Sequence, residues 1–195
     1  MSSVEPDTEW PRPPQGGYTA DDLDRLPHLP PHTELIDGSL VFMSPQTDFH
    51  YLAIRLLEFR LLAAAPEKWD IRREMTVTLG PRNRPEPDLI VVRAEAVQSM
   101  TQTTYLPEDV ALAIEVVSPE SEERDRGIKP YKYAKAGIRH FWRVENDGGR
   151  PVVYVYESDP ATRKFVATGI FHDRLVVSFP FPVEIDLTDI DKRRL

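Results

Sequence analysis

Two short apolar runs, Asp88-Leu89-Ile90-Val91-Val92 and Val110-Ala111-Leu112-Ala113-Ile114-Glu115-Val116-Val117, constrain the fold of this chain more than any other feature. Runs of this length, rich in β-branched residues, suit central strands covered on both faces. Each carries a carboxylate, Asp88 at the start of the first and Glu115 near the end of the second. A charge inside a buried strand is costly unless something positive meets it. On neighbouring strands the two charges would stand about 4 Å apart and, at an effective dielectric of about 20, repel by about 4 kcal/mol. A proton, a basic side chain or a divalent cation would relieve that repulsion. In one reading Asp88 caps a strand end and Glu115 pairs with a structural Lys or Arg. In the other, both are metal ligands, and oxygen donors of this kind suit Mg²⁺ or Mn²⁺, with the backbone carbonyl of Val116 as a further ligand.

The flanking sequence supplies the elements around these strands. Residues 34–43 read as two short strands about an Asp37-Gly38 turn, the strongest short hairpin signal a sequence carries. From 47 to 65, Leu52, Ile54, Leu56, Leu57, Phe59, Leu61 and Leu62 recur at helical spacing until Pro66 stops them. Residues 71–79 alternate as a strand, with a slip near Arg73. A second helix is expected between 121 and 136, ended by Gly137, although Pro130 blurs its start. Residues 138–144 read as a strand, followed by short antiparallel strands at 152–156, 165–171 and 175–177. This order predicts an α/β or α+β fold in which a mixed central sheet is flanked by helices, with an N-terminal hairpin and a C-terminal antiparallel meander.

The ends and the charge divide the chain further. Seven of its 19 prolines fall within the first 31 residues, so residues 1–18 are expected to form an extended arm, 19–187 the domain and 188–195 a polar tail. The formal charge is −8, which argues against nonspecific coating of nucleic acid. Residues 124–143 nevertheless hold Arg124, Arg126, Lys129, Lys132, Lys135, Arg139 and Arg143 against Asp125 alone, a local charge of +6. That block is either a basic cleft rim or a solvated helix face. With no Cys in the chain, disulfides, thiolate zinc sites and cysteine nucleophiles are excluded, and the cytoplasm is the expected compartment. No apolar run approaches the roughly 20 residues of a membrane span, and residues 1–10 lack the apolar stretch of a signal peptide.

An ordered set of motifs carries a family resemblance: Glu34-Leu35-Ile36-Asp37-Gly38, Met43-Ser44-Pro45 with His50, Pro87-Asp88, and Glu115-Val116-Val117-Ser118-Pro119. Asp125, Lys129, Tyr133 and Gly137 then lead to Phe141-Trp142. Over about residues 19–187 the chain resembles the Uma-type restriction endonuclease branch of the PD-(D/E)XK nuclease superfamily. The resemblance implies a restriction-endonuclease-like sheet, a DNA substrate and a divalent metal held by Asp88 and Glu115. The superfamily's third, basic position falls here on Val117, so the basic residue must come from elsewhere, and Lys129 is the candidate. On an ideal helix Asp125, Lys129 and Tyr133 form one stripe, while Ile128, Tyr131 and Ile138 define another side, so that one side can pack and the other can face the carboxylates.

In this reading Lys129 orients the attacking water or stabilises charge developing at the phosphorus, unless it serves only as a helix salt bridge to Asp125. Glu34 either completes the acidic cluster or is a solvated strand-start residue, and His50 is a helix-capping or core histidine or an accessory group. Asp125 and Tyr133 are further accessory candidates. The function expected is metal-dependent phosphodiester hydrolysis. The alternatives are an inactive nucleic-acid-binding or interaction module on the same scaffold, and a hydrolase of another substrate that uses paired carboxylates. Cutting both strands favours a homodimer, with the Pro-rich arm as a clasp.

Overall fold

The computed structural model describes residues 13–192. Residues 1–12, most of the expected arm, lie outside the described residues. A short 3-10 turn, Ala20–Asp24, leads to a hairpin of β1 (Glu34–Ile36) and β2 (Ser39–Val41). Its turn residues Asp37 and Gly38 both take positive φ, 51° and 83°, as the twist of a two-residue hairpin requires. Helix α1 (Asp48–Ala64) starts at Thr47, whose side chain accepts a hydrogen bond from the His50 N–H. β3 (Trp69–Arg73) and β4 (Thr76–Val77) follow, then β5 (Leu89–Arg93), β6 (Thr104–Tyr105) and β7 (Val110–Val116). The strand expected over 71–79 is therefore broken in two. Glu74, next to the slip at Arg73, has φ of 51° and turns the chain out of the sheet.

Beyond β7, a π-helical turn, Arg124–Ile128, runs into α2 (Lys129–Ala136). Proline supplies no N–H, so Pro130 cannot continue an ordinary helical ladder, and the Lys129 N–H instead reaches back to the Arg124 carbonyl. Gly137 ends α2 with φ of 98°, a left-handed cap that a side chain would disfavour. β8 (His140–Asp147), β9 (Arg150–Asp159) and β10 (Lys164–Phe171) complete the main sheet, and β11 (Arg174–Val177) pairs with β12 (Val183–Asp186).

The main sheet has the order β10-β9-β8-β7-β5-β3. Only β7 and β8 run parallel, joined by the crossover that carries α2; the other neighbours are antiparallel. This is the mixed α+β architecture expected, and alternation along the strands divides its core in two. Leu89, Val91, Leu112, Ile114, Val116, Trp142 and Val144 face α1 and the β11–β12 hairpin. On the opposite face Ile90, Val92, Ala113 and Phe141 pack with Tyr133, Val77 and Tyr105. The 3-10 turn Leu187–Asp191 belongs to the first cluster through buried Leu187 and Ile190, so part of the segment read as a polar tail is packed in the core.

A buried arginine fastens the N-terminal hairpin to this body. Arg84 is 3% exposed, and its backbone exchanges two hydrogen bonds with Leu35. Its guanidinium donates to both carboxylate oxygens of Asp24, at 2.6 and 3.0 Å, and to Thr76. That network carries Glu34 into the interior. No helix among the described residues is long and apolar enough to cross a membrane.

Candidate active site

Glu115 lies one residue from the end of β7, on the face of the sheet covered by α2, and is 1% exposed. Two α2 side chains one turn apart reach it. The Tyr133 hydroxyl donates to Glu115 Oε1 at 2.5 Å, and Lys129 Nζ donates to Oε2 at 3.2 Å. Lys129 Nζ also lies 2.8 Å from Glu34 Oε1 and 3.3 Å from Asp125 Oδ1. One ammonium group thus serves three carboxylates, all of them buried. Glu34 Oε1 takes a further hydrogen bond from the Glu86 N–H, at 2.8 Å, whereas Glu34 Oε2 is buried without a partner.

Asp88 immediately precedes β5, which pairs with β7, so the two expected carboxylates do stand on neighbouring strands. Asp88 Oδ2 accepts from the Val116 N–H at 2.6 Å, and His50 Nε2, from the first turn of α1, lies 3.0 Å from Oδ1. His50 is therefore a buried histidine that serves Asp88. The structure brings together Asp88, Glu115, Lys129, Glu34, His50, Asp125 and Tyr133, with the Val116 backbone between the two strand carboxylates. Glu34 is inside this cluster and is not a solvated strand end.

The expected orientation of α2 holds on one side and fails on the other. Asp125, Lys129 and Tyr133 share a buried stripe that faces the carboxylates, whereas of the expected packing side Ile138 is buried but Ile128 and Tyr131 are 37% and 56% exposed. The physical reason is mutual neutralisation: the carboxylates and the ammonium group solvate one another, so the polar stripe packs inward on Glu115. The basic block of residues 124–143 is likewise no open patch. Arg124 pairs with Glu120, Arg126 with Glu122 and Glu145, Lys132 with Asp37 and Arg143 with Glu145.

Negative charge remains in excess, and the proton affinities record it. Burial pushes the Glu115 carboxyl well above its usual range despite Lys129, and burial raises Asp125 as well. Burial alone would weaken the hold of Lys129 on its proton, but Glu115, Glu34 and Asp125 together keep the ammonium well above its ordinary value. Burial also raises the Tyr133 hydroxyl, so it stays a donor to Glu115.

A cavity of about 390 Å³ opens beside Asp88, lined by His32, Met43, Ser44, Pro45, Gln46, Glu74, Glu86 and Asp88. Its walls hold three carboxylates and neither Lys nor Arg. Neither Glu86 nor His32 is among the expected site residues, His32 because its spacing from the other histidines fits no metal site. The available signal was the spacing of Glu86 and Asp88, since residues two apart in an extended segment share a face. His32 Nδ1 lies 2.5 Å from Glu86 Oε1; that hydrogen bond raises the imidazole's proton affinity, and burial raises that of Glu86.

The donor set fits a hard divalent cation in one respect and strains it in another. The unpartnered Glu34 Oε2 and the raised Glu115 and Asp125 mark a buried excess of negative charge, and every free donor is oxygen. Yet among the described residues no three His, Asp or Glu side chains gather closely enough to hold an ion by themselves. Mg²⁺ tolerates this, because one or two carboxylates commonly hold it while water and substrate phosphate complete its shell.

A family model described as a putative restriction endonuclease, Uma2, matches residues 20–188. The chain belongs to the Uma2 family. Its fold is similar to the crystal structure of a putative nuclease belonging to DUF820 from Anabaena variabilis, with a TM-score of 0.68 and 18% sequence identity over 88% of this chain and 96% of that one. No curated protein matches the sequence. The Uma2 match spans every residue of the buried cluster, from Glu34 to Tyr133.

Proposed function

We propose that this chain is a divalent-metal-dependent DNA endonuclease whose active centre is the cluster around Asp88, Glu115 and Lys129. One observation carries the reading: two carboxylates from adjacent strands, each oriented by its own donors, adjoin a buried excess of negative charge, and one of them, Asp88, lines an open cavity. Asp88, Glu115 and the Val116 carbonyl would hold Mg²⁺ or Mn²⁺, which when bound would neutralise a phosphodiester and acidify water. Residues 19–187 would form the catalytic domain, acting in the cytoplasm as a homodimer for double-strand cleavage.

The chain's own groups have distinct tasks in this scheme. His50 and the Val116 N–H fix Asp88, and Tyr133 and Lys129 fix Glu115, so neither carboxylate must reorganise when substrate arrives. Lys129 is held firmly protonated by three carboxylates, which suits a fixed positive charge and not a general base. Of the two roles expected for it, stabilisation of charge developing at phosphorus is the one this environment favours. Incubating the purified protein with plasmid and Mg²⁺ or Mn²⁺ tests the reading. Strand scission is expected, with loss in Asp88→Ala and Glu115→Gln; scission undiminished in both variants would overturn the site.

A second reading, a nuclease-like module that binds without turnover, is favoured by the Lys129 ammonium, which already occupies the space among three carboxylates. Calorimetric titration separates the two. Mg²⁺ binding to the wild type that is lost in Asp88→Asn supports the enzyme, and the absence of uptake by both supports the module.

A further inference from the structure

A second cavity, of about 260 Å³, lies between α2 and the outer strands of the main sheet, lined by Arg126, Pro130, Tyr131, Phe141, Arg143, Tyr156, Lys164 and Phe165. No carboxylate lines it. Phe141 forms its floor, with ring centroids 5.7 Å from Tyr156 and 5.4 Å from Phe165, the latter ring tilted by only 26°. The Arg143 guanidinium spreads over Tyr154 at 4.6 Å and Tyr156 at 5.5 Å. Tyr131 is 56% exposed at the rim, and Lys164, also exposed, has no carboxylate partner among the described residues.

Strand register ties this groove to the active centre. Glu115 is the register partner of Arg143, and Arg143 of Tyr154. Partners in register share a face, so the row Glu115, Arg143, Tyr154 crosses the sheet in steps of about 4.8 Å, from the buried cluster to the groove. Arg126 and Arg143 are held by Glu145 at 2.6 and 2.8 Å, which leaves Lys164 as the groove's unpaired cation among the described residues. Aromatic plates for flat rings and a free cation for phosphate describe a surface for nucleotides.

We propose that this groove binds a single-stranded stretch of the substrate, with bases stacked on Tyr131 and Phe165 and the backbone held by Lys164. The inference rests on the nuclease reading and deepens it: the strand entering the site is unpaired beside the cleavage point, because a 260 Å³ groove admits about one nucleotide and not a duplex. A folded acidic protein would use the cations but leave the aromatic plates idle.

Fluorescence anisotropy of a short labelled oligothymidylate, with Ca²⁺ present, tests it on the full chain. Tyr131→Ala is expected to weaken binding about tenfold. Lys164→Ala is expected to reduce the slope of log Kd against log salt by about 0.7. Both side chains are exposed, and thermal melting checks that the variants remain folded. Unchanged affinity in the first and unchanged slope in the second, or no binding by the wild type, would overturn the groove. Hydrolysis of bis(p-nitrophenyl) phosphate by the wild type tests the nuclease reading separately. Turnover with affinity indifferent to the groove sinks only this inference, whereas groove-dependent affinity without turnover keeps the groove as a single-strand binding surface and sinks the enzyme.

Discussion

The cavity beside Asp88 and the groove beside Arg143 are opposites that stand on either side of β7. The first presents three carboxylates and a histidine; the second presents three cations and four aromatic rings. Their difference shows why the net charge of −8 is a poor guide to partners. Acidity is concentrated where a cation would be needed, and an unpaired lysine, Lys164, stands among the described residues where phosphate would lie. A phosphodiester strand accompanied by a divalent metal complements both regions at once, which neither a bare anion nor a bare cation does.

The largest test of this contrast is Lys129→Ala. It would leave Glu34, Glu115 and Asp125 buried without their ammonium partner, and breaking such a cluster is expected to cost about 3–5 kcal/mol in urea unfolding. A loss below about 1 kcal/mol would mean that the carboxylates are already neutralised by protons, and the acidic half of the comparison would collapse.

The pH dependence sharpens the same point. Burial raises Glu115 above its ordinary 4.5, so the folded state holds a proton that the unfolded chain releases. Stability from this group is therefore present at and below 4.5 and is lost as pH climbs through the raised value. Glu115→Gln should flatten that decline, as thermal melts across pH would reveal. Added Mg²⁺ should raise the melting temperature more at high pH than at low, because the ion competes with the proton.

Smaller effects follow from the orienting groups. His50→Ala removes the imidazole from Asp88 and should lower plasmid cleavage about 10- to 100-fold, with a weaker effect on stability. Tyr133→Phe deletes one hydrogen bond to Glu115 and is expected to cost about 1–2 kcal/mol. Smallest of all, Tyr131→Ala in the cationic groove should shift stability by less than about 0.5 kcal/mol, since its ring is mostly in water. A larger loss in chemical denaturation would show the ring to be structural, and the groove would cease to be a binding surface.

Much of this site was legible from residue order. Carboxylates in apolar strands, an Asp-Gly turn and an i, i+4 stripe are local signals, and each landed where its spacing indicated. What escaped has a common cause. Glu86 and His32 are 54 residues apart in sequence and meet only because Arg84 pins the hairpin. Tyr131 looked like a packing residue because its hydrophobicity is visible in sequence, whereas the burial of Lys129 depends on Glu34 and Glu115 from distant strands as well as on nearby Asp125. The division of residues 71–79 turned on a single backbone dihedral at Glu74.

By itself the sequence determined the sheet-forming segments, the two strand carboxylates and the membership of a nuclease-like family, because apolar periodicity and short motifs are properties of neighbours along the chain. Only the tertiary structure decided that Ile128 and Tyr131 turn outward, that the basic block is mostly paired with acids, and that the acidic cavity and the aromatic groove separate. Those outcomes depend on which charges meet when the chain folds, and electrostatic energy is a function of distance in space, not of separation in sequence.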